Sequence, residues 1–257
     1  MSHRISPVWL VAVALAVPAG IHAQGRGGPG GAPPADKAAA PIDLTGYWVS
    51  VIVDEWRFRV APQKGDILYL PINAAARRVA TAWDPAKDEA EGNACKAYGA
   101  VGVMQRPGRL HITWDDENTL KIEADAGTQT RLLHFGAASA PSGEPSWQGY
   151  SVAQWQMPGG GRGRGGPMPG QTRTGNLKVV TTNLRPGYLR KNGVPYSANA
   201  VETEYVNLLS GAAGDAYILV TAMLEDPMYL TQPFVRSYQF KKLPDATGWD
   251  PTPCLAR

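Results

Sequence analysis

From Arg109 to Trp114 apolar side chains fall at every second position, with Leu110, Ile112 and Trp114 on one face. Thr119 to Asp125 repeats the pattern with Leu120, Ile122 and Ala124. Alternation of this kind turns one face of a strand to a core and the other to water. Asp115-Asp116-Glu117-Asn118 joins the two runs as a hairpin, and Ala126-Gly127 turns the chain into a third run from Thr128 to Phe135, which predicts a meander. Further strands are predicted over Gly46 to Val60, Gln148 to Gln156, Asn176 to Asn183, Val201 to Leu208, Ala216 to Leu224 and Phe234 to Lys242. Short strands parted by turn residues predict a mainly β fold, an antiparallel sandwich or, preferred here, an antiparallel closed barrel of about eight to ten strands. A single helical segment is expected after the first strand. Asn73 caps Ala74 to Trp83, with Ala76, Val79, Ala80 and Trp83 on one stripe, and Asp84-Pro85 ends it and starts a second turn through Glu91.

Two stretches break this pattern. Residues 24–41 are Gly, Pro and Ala with few charges, a flexible tether by composition, and residues 158–175 (PGGGRGRGGPMPGQTRTG) read as a disordered loop between strands. The Arg-Gly pattern of that loop resembles RNA-binding tracts, but in an exported chain a solvated loop is the better account. At the start, Arg4, the apolar run Val8 to Val17 and the breakers Pro18 and Gly20 ahead of Ile21-His22-Ala23 form a secretory signal peptide over residues 1–23. Ten apolar positions fall short of the roughly 20 that a bilayer span needs, so no integral membrane segment is expected in the mature chain. Residues 42–257 are then one domain, periplasmic or secreted.

Charge adds little, since 25 basic against 22 acidic residues favour neither nucleic acid nor a membrane surface as partner. Two cysteines in an exported chain predict a disulfide, Cys95 to Cys254, over a metal site or a nucleophile, with two buried thiols as the competing account. The bridge would pin the C-terminus to the segment after the first strand.

Gly46-Tyr47-Trp48 resembles the Gly-X-Trp that opens lipocalin-type barrels, where the Trp closes the barrel floor. On that resemblance Phe234 to Lys242 is the closing strand and Arg236 stacks on Trp48. The chain is also similar to a set of uncharacterised exported bacterial proteins of calycin type. The likeness runs through Pro107 to Ile112, Gly127 to Arg131, Gly149-Tyr150-Ser151 with Trp155, Leu189 to Ser197, and Glu225 to Phe234. It implies a lipocalin-like β-barrel and attaches no reaction to it. In that set a His often stands near the positions of Tyr150 and Tyr196, and its replacement by Tyr argues against a His-based mechanism.

Beyond residues 1–23 the chain has only His111 and His134, too few for a zinc site of His and Cys, and no metal and no cofactor are expected. Asp115 to Asn118 is conceivable as a calcium loop but lacks the ligand pattern. Gly149-Tyr150-Ser151-Val152-Ala153 resembles a nucleophile elbow without the strand-to-helix turn that device requires. The polar faces of the meander hold His111, Glu123 and Arg131, which with Tyr196 are the candidate catalytic groups if the register brings them together inside the barrel. On the outer surface they would be a cross-strand ladder, the commoner case.

A second polar group includes Tyr188, Arg190, Glu202, Glu204 and Tyr205; Glu202 and Glu204 share a strand face, so water or an Arg partner must meet them. Candidate ligand-binding residues are Trp114, His134, Tyr150, Trp155, Tyr188, Arg190, Glu204 and Tyr205, in a chain with seven tryptophans beyond Trp9. The expected function is binding of a small apolar or aromatic molecule in the barrel. The alternative is a cofactor-free isomerase, lyase or hydrolase working by acid-base chemistry. A structural or envelope-associated role on the tether is compatible with the pattern and has no specific support.

Overall fold

The computed structural model describes residues 35–53, 55–136, 143–157, 175–211 and 214–257. The segment expected to be a signal peptide, most of the expected tether and nearly all of the Arg-Gly segment lie outside them. The strands in chain order are β1 (Gly46–Val51), β2 (Arg109–Trp114), β3 (Thr119–Ala124), β4 (Gln129–Phe135), β5 (Tyr150–Gln156), β6 (Asn176–Thr182), β7 (Gly187–Arg190), β8 (Val194–Tyr196), β9 (Val201–Ser210), β10 (Ala216–Glu225) and β11 (Phe234–Leu243). Nine of them close into a barrel in the order β1-β11-β10-β9-β6-β5-β4-β3-β2, and β7 and β8 pair with each other outside it.

The expected all-antiparallel sheet is corrected at one seam. β5 runs parallel to β4, with Leu133 opposite Ser151 and Phe135 opposite Ala153, while the other eight pairings are antiparallel. The cause lies in the return segment before β5. Gln148 donates to the side chain of Gln129 at the start of β4 and to the carbonyl of Tyr98, both at 2.8 Å. The chain therefore comes back to the end where β4 began and sets off again in the same direction, as a parallel pair requires.

Strand alternation becomes two cores. Inside the barrel Trp48, Leu110, Ile112, Leu120, Ile122, Leu133, Phe135, Leu177, Val179, Ile218, Val220 and Phe240 fill one half. A second core lies over the end where β10 stops and β11 starts. There Leu224 and Phe234 meet Ala76, Ala80, Val101, Leu189, Val194 and Tyr196 of a cap.

The cap is built from residues between β1 and β2 together with β7 and β8. It corrects the expectation of a single helical segment. Besides α1 (Asp36–Ala39) at the opposite end, it holds α2 (Trp56–Arg59), α3 (Ala74–Ala82), α4 (Pro85–Ala90), a 3-10 turn (Ala94–Ala97) and α5 (Ala100–Val103). α3 and α4 occupy the predicted positions, and the Asn73 side chain accepts from the Ala76 amide at 3.0 Å. Val79, expected on the buried stripe, is exposed. The first strand stops at Val51, not Val60: Glu55 takes the left-handed conformation (φ 48°), and the turn that follows buries Phe58 and Arg59. β7 and β8, four and three residues long, are too short for alternation to reveal.

Cys95 and Cys254 form a disulfide, tying the C-terminal segment to the 3-10 turn. Trp48 is fully buried at the uncapped end and donates to the Leu44 carbonyl at 2.9 Å. Its ring is covered by Lys242, its partner across β1 and β11, and not by Arg236, which lies opposite Ala222 farther along β11 and turns to Glu55. No helix among the described residues is long and apolar enough to cross a membrane.

Candidate functional site

Toward the capped end the inward positions change from apolar to polar. β4 contributes Arg131, β5 Ser151, β6 Thr181, β9 Glu202 and Glu204, and β11 Tyr238, and all six are buried. Arg131 grips Glu204 with both terminal nitrogens, at 2.6 and 3.2 Å, and donates to the Thr181 hydroxyl at 3.3 Å, which shares a hydrogen bond with Ser151 at 2.8 Å. Burial acts against the Arg131 charge, and the charge and hydrogen bond of Glu204 outweigh it, so its pKa is raised. The pair is a two-point guanidinium–carboxylate contact, the geometry that best offsets desolvation.

Glu202 is different. Its Oε2 is buried with no hydrogen-bond partner. Burial, then the neighbouring charge of Glu204, raise its pKa from 4.5 to about 8 against the pull of Arg131. Glu202 is therefore a neutral acid at neutral pH, holding its proton beside an ionised carboxylate. Burial and the Glu202 charge also push the phenols of Tyr196 and Tyr238 upward.

The cap lays arginines over this buried polar cluster, here called the chamber for its position between barrel and cap. Gln105, just after α5, donates to the carbonyls of Val101 (2.9 Å) and Leu189 (2.8 Å), and its own carbonyl accepts from Arg59 Nε at 3.2 Å. That one glutamine fixes Arg59, Arg106 and Arg190 together, since Arg59 donates to it, Arg106 follows it directly and Arg190 follows Leu189. Arg59 lies over the Tyr238 ring at 5.4 Å and Arg190 over the Phe58 ring at 4.2 Å. Burial lowers the Arg106 pKa to about 10, against the opposing pull of Tyr98 and Tyr238 and with a smaller push from the neighbouring charges of Arg59 and Arg190. Arg190 is lowered to about 10 for the same first reason, with Glu55 opposing the shift. Glu55, half-buried at the rim, pairs with Arg236 at 2.9 Å.

The candidate catalytic residues do not meet. β2 and β3 pair His111 with Glu123, and their side chains touch at 3.2 Å on the outer surface, where His111 also stacks on Tyr47 at 4.1 Å. β3 and β4 set Arg131 opposite Ile122, one position out of phase with Glu123, so Arg131 faces inward. Tyr196 is in the cap. Of the ligand-binding candidates, Arg190 and Glu204 belong to the chamber. His134 and Tyr150 stack on the outside at 4.7 Å beside a recess lined by Asp116, Asn118 and Thr119. Trp114 and Trp155 pack with Phe135 at the uncapped end, and Trp155 donates to the Asp36 carbonyl. Tyr188 donates to Asp88 at 2.8 Å, and Tyr205 lies under Lys178.

Arg59, Arg106 and Tyr238 carry no local sequence signature. Glu202 carried one, its shared face with Glu204. Among the described residues no three His, Cys, Asp or Glu side chains gather as metal ligands.

The fold and site define a closed, capped β-barrel with a buried, arginine-rich polar end. Set against protein-family models, curated proteins and solved structures, the chain matches none.

Proposed function

We propose that the chain is an exported, lipocalin-like barrel, periplasmic or secreted, that binds a small molecule with an apolar or aromatic body at its capped end. One observation carries the reading. Buried polar atoms without hydrogen-bond partners gather in this chamber: Arg106 Nε and Nη2, Arg131 Nε, both terminal nitrogens of Arg190 and Glu202 Oε2. Buried polar groups are ordinarily satisfied, so such a concentration suits groups that wait for a ligand. The rings of Phe58 and Tyr238 offer the ligand's body a surface.

Entry through the cap is supported by its packing. Val53, Trp56 and Tyr69 are 72, 67 and 83% exposed, so this segment is less firmly held than the barrel wall. Export is supported by the signal pattern of residues 1–23 and by the disulfide. The test is titration of the purified chain with a panel of aromatic and aliphatic molecules, read by tryptophan fluorescence and thermal stability. A saturable response lost on filling the chamber is expected, and silence toward the whole panel sinks the reading.

Glu202 favours a second reading, in which the same chamber is a cofactor-free acid-base site. A carboxylic acid that keeps its proton to about pH 8 is suited to donate it to a bound substrate. Glu202→Gln then abolishes turnover while ligand binding survives. A chain that binds ligands and never alters them removes this second reading alone.

A further inference from the structure

Arg106 and Arg190 are 5% and 1% exposed, and neither has a hydrogen-bonded acid for its open donors. The open atoms of Arg106 are Nε and Nη2, the side edge of the guanidinium fork. Those of Arg190 are Nη1 and Nη2, its end edge. Each edge is a pair of parallel N–H donors matched to two oxygens of one oxyanion. The nearest acid to Arg190, Glu55 Oε1, is 3.9 Å from Nη2, beyond hydrogen-bond reach. Of the two buried glutamates in the chamber, Glu204 is taken by Arg131 and Glu202 is held neutral. The fold therefore buries two neighbouring cationic forks and leaves their open donors without a hydrogen-bonded anion, Glu55 reaching Arg190 only as a loose ion pair, at a cost that a ligand anion would offset.

Resting on the small-molecule reading above, we propose that the ligand is an organic oxyanion, a carboxylate by preference, whose two oxygens are held by the Nε/Nη2 edge of Arg106 and the terminal nitrogens of Arg190. Its body then runs toward Phe58 and Tyr238. The Gln105 bridge to Leu189 is what holds the two forks in register, and it uses no part of either guanidinium.

The experiment compares benzoate, phenyl phosphate, inorganic phosphate and the uncharged benzamide by calorimetry on the full chain and on Arg106→Met, Arg106→Lys and Arg190→Met. Benzoate is expected to bind at least about tenfold more tightly than benzamide, and each Met variant to lose about tenfold or more of that affinity, as loss of a charged hydrogen-bond pair implies. Arg106→Lys keeps the charge and loses the fork, and is expected to weaken benzoate as well. Free of ligand, Arg106→Met is expected to be no less stable than the parent chain, since it removes a buried charge that no acid balances.

Tighter binding of phenyl phosphate than of benzoate also supports the oxyanion and assigns its source to a phosphomonoester. Equal affinity for benzoate and benzamide overturns the oxyanion while leaving small-molecule binding in place. So does unchanged benzoate affinity in Arg106→Lys, whether or not Arg106→Met folds. Failure of these ligands and of the uncharged panel together removes the underlying reading too.

Discussion

Replacing Glu202 by Gln tests the buried acid at its source. The folded chain holds the Glu202 proton to about pH 8 and the unfolded chain releases it near pH 4.5. The native state therefore binds the proton more tightly, and the stabilisation is complete below pH 4.5 and lost as pH rises through about 8. At about 1.4 kcal/mol for each tenfold difference in proton affinity, this is worth at most about 5 kcal/mol across that window. Above it the barrel must carry an ionised Glu202 next to the ionised Glu204. Glutamine keeps the neutral shape and cannot ionise. Denaturant unfolding from about pH 5 to about pH 9 should show the two chains nearly matched at the acid end, with Glu202→Gln ahead by several kcal/mol at the alkaline end. Only the difference between the chains matters, because every other titrating group is common to both. A difference that does not change with pH refutes the assignment of a neutral buried acid.

Arg131→Met leaves Glu204 buried and unpaired and should cost about 3 to 5 kcal/mol in denaturant unfolding, most of it regained when Glu204→Leu is added. No recovery in the double variant would mean the cost lies elsewhere. Cys95→Ser with Cys254→Ser opens a link 159 residues long and should cost up to about 5 kcal/mol, checked by the shift in the unfolding midpoint. Gly193, between β7 and β8, has φ +81° and its α-carbon faces the Trp83 ring, so Gly193→Ala should lower stability by about 1 to 3 kcal/mol. A neutral result there would show that the hairpin can shift away from the helix.

The nine barrel strands and the two middle helices were legible because each is written in a local period. Leu110, Ile112 and Trp114 or Leu120, Ile122 and Ala124 state which face of a strand is apolar, and Asn73 states where a helix begins. Period alone also named the glutamate pair on β9. It gave the wrong face for Arg131, because inward arginines run against the usual rule that polar strand positions face water. Which side chains meet was settled elsewhere. Arg131 reaches Glu204 across 73 residues and Gln105 reaches Leu189 across 84, contacts created by closing the barrel and laying the cap over its end. The parallel seam between β4 and β5 arises likewise from Gln148 returning to Gln129 and Tyr98. Alternation is a property of neighbours along the chain and could be read from it; the chamber of arginines is a property of closure, where distant residues share one desolvated space, and no local pattern records that.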